Sequence, residues 1–138
     1  MEPIREHKEY RTVSFWKEAD DDILFFKYSP RLEMTIEVAR EIVNSRLEYC
    51  HGVSMYVLID ATNIKSATKE ARDYMNSTEG GLKGVLGGAF LSNNVVATLV
   101  INLFLRVSNL PIPAKFFTNK QEAVKWLRKI KAEKLQLV

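Results

Sequence analysis

The sequence holds a single cysteine, Cys50, so no intrachain disulfide can form, and no Cys/His spacing offers a structural zinc site. Histidine is almost as scarce: His7 and His51 are the whole supply, which leaves little material for a Ser/His/Asp site. No catalytic or metal-binding signature is present, and no cofactor is expected. The glycines and prolines form neither a low-complexity tract nor an interdomain linker. No run reaches the roughly 18–20 apolar residues that span a bilayer. The opening Met1-Glu2-Pro3-Ile4-Arg5 lacks a signal-like pattern, which makes a reducing cytoplasm the expected compartment. What the chain does have is apolar material. At 46% hydrophobic over 138 residues, it can build a core without staples, as one domain over residues 1–138.

Charge is unevenly placed around a formal net +3. Residues 1–22 carry seven acidic and four basic side chains, whereas residues 115–138 carry seven basic and two acidic ones. A basic tail can mark a nucleic-acid or acidic-membrane footprint. No aromatic-glycine motif for single strands accompanies it, and cations also suit the last turns of a solvated helix. Nucleic-acid binding is therefore not expected.

Tyr10 to Trp16 alternates with the period of a half-buried strand, Lys17 to Asp22 supplies a polar turn, and Ile23 to Tyr28 gives a second strand. The two are close enough to pair as a hairpin, closed by Pro30. Thr35 can cap a helix to about Cys50, in which Ala39, Ile42, Val43 and Leu47 recur at helical spacing. Met55 to Ile59 is a compact apolar run that fits a strand buried on both faces. Ser66 or Thr68 caps a further helix to about Asn76, and Val85 to Leu91 reads as a strand despite Gly87 and Gly88. Asn93-Asn94 caps a helix from Val95 to about Ser108. Ala114 to Phe117 is the last strand, before a final helix opened by Thr118 with Gln121 or Asn119 with Glu122. The order β-β-α-β-α-β-α-β-α implies an α/β domain with a mostly parallel sheet, an N-terminal antiparallel hairpin and four helices.

This arrangement resembles the SpoIIAA-like (STAS-like) family of small bacterial proteins, in an uncharacterised branch. The resemblance covers roughly residues 8–130. It rests on Tyr56-Val57-Leu58-Ile59-Asp60, on Ala71-Arg72, on the long apolar helix, and above all on the run from Ala114 through Phe116-Phe117 to Glu122-Ala123 and Trp126-Leu127. It implies a SpoIIAA-like fold and a domain that binds a partner protein. In the family's anti-sigma-factor antagonists, a serine in Asp-Ser-Ser-Gly at the helix after the central strand is phosphorylated to switch binding. This chain has Asp60-Ala61-Thr62-Asn63 there, so Ser66 and Thr68 are the stand-ins for a phospho-switch.

Asp60, at the C-terminal end of its strand, lies where open α/β sheets bind ligands. With Thr62 and Asn63 it forms a candidate ligand or partner loop; the alternative is an Asx-type bond within that loop. Cys50 and His51 are adjacent, and helix neighbours do not face each other, so they make a poor nucleophile and base. Gly87 and Gly88 mark close approach to the strand by a helix or by a ligand. The helix from Val95 is apolar around nearly its whole circumference, including Val96, Leu99, Val100, Leu103, Phe104 and Val107. If about 400 Å² of it were exposed, some 10 kcal/mol of burial would go unmet at about 25 cal/mol per Å². A second subunit, another protein, or an acyl chain or membrane surface is expected to cover it.

Three classes of function follow. The first is a non-enzymatic, regulatory or protein-binding module, expected as a homodimer. The second is a carrier of a lipid-like or other apolar ligand held between sheet and helix near Gly87 and Gly88. The third, an enzyme using Asp60 with a distant Lys or His, has the least support.

Overall fold

In a computed structural model, which describes residues 5–18, 23–106 and 110–136, the layout follows from β5, Met55–Asp60. Every residue of its apolar run from Met55 to Ile59 is buried. Strands β3 (Ile23–Tyr28) and β7 (Val85–Leu91) pair with its two edges in parallel. Beyond β3 lie β2 (Val13–Lys17) and β1 (Arg5–Glu9), both antiparallel, and beyond β7 lies β8 (Ala114–Phe117), parallel. The sheet order is β1-β2-β3-β5-β7-β8.

The pleat sends alternate side chains into two cores. Leu24, Phe26 and Tyr28 of β3, with Val57 and Ile59 of β5, pack against α1 (Ile36–Cys50) and α3 (Val95–Leu105). Ile23, Phe25, Tyr56, Leu58 and Ala89 face the other way, against Ala123 and Leu127 of α4 (Lys120–Gln136). Gly87 sits where α4 comes closest. A Cβ there would lie 2.8 Å from Ile130 Cδ1 and 3.2 Å from the Tyr56 ring, so the missing side chain is what lets the helix seat.

The caps match the chemistry of their residues. Thr35, Thr68 and Asn94 each accept a bond from the amide three residues on, and Asn119 accepts from Glu122 N at 3.0 Å. Asn94 does more: its Nδ2 donates to Thr62 O at 2.7 Å, tying the start of α3 to the loop after β5.

Several expectations need correction. Edge strand β1 precedes the expected hairpin, because its Arg-Glu-His-Lys-Glu sequence pairs through backbone and shows no apolar period. A second, two-stranded parallel sheet joins β4 (Leu32–Met34) to β6 (Ile64–Ala67). Ser66 therefore lies in a strand opposite Glu33, and α2 (Lys69–Met75) is capped by Thr68 alone. Helix α3 ends at Leu105; Val107 and Ser108, like Ala19 to Asp22 of the expected turn, lie outside the described residues.

Leu127→Ala, which empties a fully buried site between α4 and the sheet, is expected to cost about 2–5 kcal/mol in urea unfolding. Thr35→Ala removes a cap alone and is expected to cost about 1 kcal/mol. Asn94→Ala removes a cap and a clamp, and should cost measurably more. Equal losses in the two variants would show that the bond to Thr62 contributes nothing.

Candidate functional site

The C-terminal edge of the parallel strands gathers the polar residues singled out in the sequence, and most of them hold the chain to itself. Asp60 Oδ1 accepts from Thr62 N at 3.1 Å, the Asx turn that a short carboxylate makes readily. Asn63 Nδ2 donates to Tyr28 O at 2.9 Å, and its carbonyl accepts from Leu32 N at 3.0 Å. Thr62 is held by Asn94. Ser66 and Thr68 are both exposed, six and eight positions after Asp60, with β6 between. Thr68 Oγ1 accepts from Ala71 N at 3.1 Å as the cap of the short α2.

Helix α3 divides into two faces. Ala97, Val100, Ile101 and Phe104 are buried against the sheet. Val100 and Phe104, expected on the contact surface, are instead core residues, because a helix lying on a sheet turns one stripe inward whatever its outer composition. The outer stripe is Val95, Val96, Leu99 and Leu103, with relative exposures of 76, 52, 61 and 39%. Val95, Leu99 and Leu103 stand four apart and line up along the helix. A shallow concavity at the N-terminal end of this stripe is lined by Val95 and Val96, by Thr62 and Asn63, and by the exposed Arg31 and Lys65.

The two interior glycines separate. Gly87 faces α4 and is filled by Ile130, so no ligand lies against it. Gly88 faces the other way and lines a cavity of about 50 Å³ between the sheet, α1 and the C-terminal end of α3. Phe26, Val57, Ile59, Phe104 and Ile112 make most of that wall apolar.

Arg46 of α1 is in the same wall, and it is the residue the sequence reading missed. It is only 4% exposed. Its guanidinium makes one hydrogen bond to a described residue, Nη2 to Gly81 O at 3.2 Å, and Nη1 lies 3.6 Å from where a Cβ of Gly84 would be. No ion pair to a carboxylate is found for it among the described residues. Burial lowers its pKa from the ordinary arginine value, and the groups acting in the opposite direction are Cys50, Tyr74 and Tyr28. Burial raises the Tyr28 phenol well above its usual range and also raises the Cys50 thiol, with Arg46 pulling both back, so these two are neutral near pH 7. An arginine stays protonated even so. A buried charge is costly unless it is paired or hydrogen-bonded, and the partner of this one among the described residues is Gly81 O. A signal was present in the sequence: Arg46 follows Ile42 by four and Val43 by three, on the stripe that faces the core.

His51 takes the left-handed C-cap of α1, with φ 51°, and its amide donates to Glu48 O. Among the described residues no group of three His, Cys, Asp or Glu is placed to hold a metal ion, and no helix is long and apolar enough to cross a membrane.

Among functionally curated proteins, none has a sequence that matches this chain. Among solved structures, the fold is similar to that of an uncharacterized protein of the DUF3478 family with a SpoIIAA-like fold, from Shewanella loihica PV-4. The two are 24% identical, the match covers 87% of this chain and 97% of the other, and the TM-score is 0.54. That likeness establishes the architecture: a SpoIIAA-like α/β fold with a mixed, mostly parallel sheet, an N-terminal antiparallel hairpin and four helices. Over residues 15–131 the sequence matches the family model described as a domain of unknown function, DUF7793, and the chain belongs to that family.

Proposed function

We propose that this chain is a non-enzymatic binding module that works through protein–protein contact, with the outer stripe of α3 as its contact surface and a second copy of the chain as its partner. The observation that carries this reading is the exposure of Val95, Val96, Leu99 and Leu103 in one continuous row. Single exposed apolar residues are ordinary, but a contiguous row on a helix marks a surface that gains by being covered. A twofold axis across α3 would bury the same stripe on both copies, the commonest way in which such a surface is satisfied.

The rim fits the same reading and adds a condition. Arg31 and Lys65 stand at one end of the stripe and Arg106 at the other, all exposed. Two copies bring like charges together at the edge while burying apolar area at the centre. Association is then driven by the stripe and opposed by the rim.

At micromolar concentration, light scattering is expected to give the mass of a dimer, which becomes tighter between about 0.05 and 0.3 M salt as the rim is screened. Leu99→Glu places a charge at the centre of the stripe, without touching the core, and is expected to give a folded monomer whose unfolding midpoint no longer depends on protein concentration. A strictly monomeric wild-type protein at every salt concentration would overturn self-association. A dimer unaffected by Leu99→Glu would move the contact away from α3.

A further inference from the structure

Helix α3 must hold its outer row in one line for a second copy to meet it, and it has only 11 residues with which to do so. Isolated helices this short are marginal in water, and the last four carbonyls of a helix have no partner within it. The C-terminal end of α3 has little of its own to close it. No basic residue stands in its last turn, and Arg106, which follows, keeps right-handed angles (φ −69°, ψ −17°), whereas His51 closes α1 in the left-handed region. The closure comes from another element. Asn76 Nδ2, at the C-terminal cap of α2, donates to Phe104 O at 2.9 Å across 28 residues of chain.

The side chain that makes this bond stands on a turn that is itself held. Asn76 N donates to Arg72 O at 3.0 Å, and the chain then folds back on α2, with Gly81 N donating to Tyr74 O at 3.1 Å. A Cβ at Gly81 would collide with the Met75 carbonyl, so only glycine lets the turn lie so close. Arg46 of α1 braces the same turn through Gly81 O at 3.2 Å. At its other end α3 is tied by Asn94 Nδ2 to Thr62 O at 2.7 Å. Leu103, the last member of the outer row, precedes Phe104 by one residue.

We infer, resting on the self-association reading, that Asn76 is a positioning residue for the contact surface: it caps α3 from outside and fixes where Leu103 and the end of the row meet the partner. A surface set in advance loses less conformational entropy on binding. The bond therefore shows in the affinity of the dimer as well as in the stability of the fold.

Asn76→Ala removes the donor and keeps the backbone bonds of the α2 cap. If that variant does not fold, Asn76→Asp takes its place, which keeps the shape and has no side-chain donor near neutral pH. Hydrogen exchange is read in the Leu99→Glu protein, where the dimer plays no part. Adding Asn76→Ala there is expected to speed exchange of the Leu103, Leu105 and Arg106 amides at least tenfold and to leave Thr98 unchanged. Dimer dissociation is read by light scattering on dilution, without Leu99→Glu. Asn76→Ala is expected to raise Kd at least fivefold, whereas Thr35→Ala, which loses a cap at the start of α1, leaves Kd unchanged. Unaltered exchange at the end of α3 overturns the clamp. Faster exchange with an unaltered Kd, or an equal rise in Kd for Thr35→Ala, overturns its link to the contact. A wild-type protein that is monomeric throughout fails in light scattering before any variant is made, and ends that link together with the reading it rests on.

Discussion

Burial of both faces of β5 obliges the chain to supply apolar cover twice, and the two covers differ in kind. On one side α4 gives up Ala123 and Leu127 to the sheet and keeps its outer face charged: Lys125, Arg128 and Lys129 are exposed. Its first turn is pinned by Lys120 Nζ to Glu18 Oε2 at 2.6 Å, a carboxylate that also accepts from Trp16 Nε1 at 2.8 Å. That is an amphipathic helix fully accounted for by the sheet it covers. On the other side α3 meets the same requirement with Ala97, Val100, Ile101 and Phe104, and its outer stripe is apolar as well. The fold has no use for Val95, Val96, Leu99 and Leu103 in the positions they occupy. Their surplus is a property of the surface, and it calls for a cause outside the folded monomer.

The elements that bury side chains in a regular period or a compact apolar run were legible in the sequence, and those that do neither were invisible. β2 and the helices announce themselves through a period of 2 or 3.6, whereas β3 and β5, buried on both faces, announce themselves as short apolar runs. β1 buries nothing in a pattern, since Glu6 to Glu9 are all exposed. β4 is three residues long, and β6 buries one residue of four. These strands exist because backbone groups find partners, a fact that side-chain patterns do not encode. The same gap displaced the candidate switch. Without β6 in view, Ser66 and Thr68 look equivalent at the start of a helix, whereas pairing assigns one to a strand and the other to a cap.

Arg46 illustrates a different limit. Arginine on an apolar stripe usually lays its stem on the core and carries its head to water, so the stripe Ala39, Ile42, Val43 reads as complete without it. Here the residue is only 4% exposed, and the loop that carries Gly81 and Gly84 lies against the head and offers Gly81 O as a partner. Whether a long cationic side chain emerges or is enclosed depends on a loop some 35 residues away. Periodicity within one helix cannot report it. The apolar character of α3 was legible for the opposite reason, since it is written in consecutive residues, although which half faces outward had to await the sheet.

The location of unengaged groups separates this molecule from what its architecture alone would suggest. In open α/β sheets the carboxyl ends of the parallel strands are the usual ligand site, and here that edge does collect Asp60, Thr62, Asn63 and Asn94. Yet Asp60 holds Thr62, Asn63 holds the end of β3, and Asn94 joins the loop to α3. Polar groups that satisfy one another in this way rigidify a loop, and a ligand would have to break those bonds before making its own. The groups still open among the described residues lie elsewhere: the buried hydroxyls of Tyr10 and Thr12, and a row of aliphatic side chains in water. A folded chain satisfies nearly all its buried polar groups, so the few left open carry more information about binding than a shared position at the edge of a sheet. For this domain the larger of the two is the apolar row on the outer face of α3.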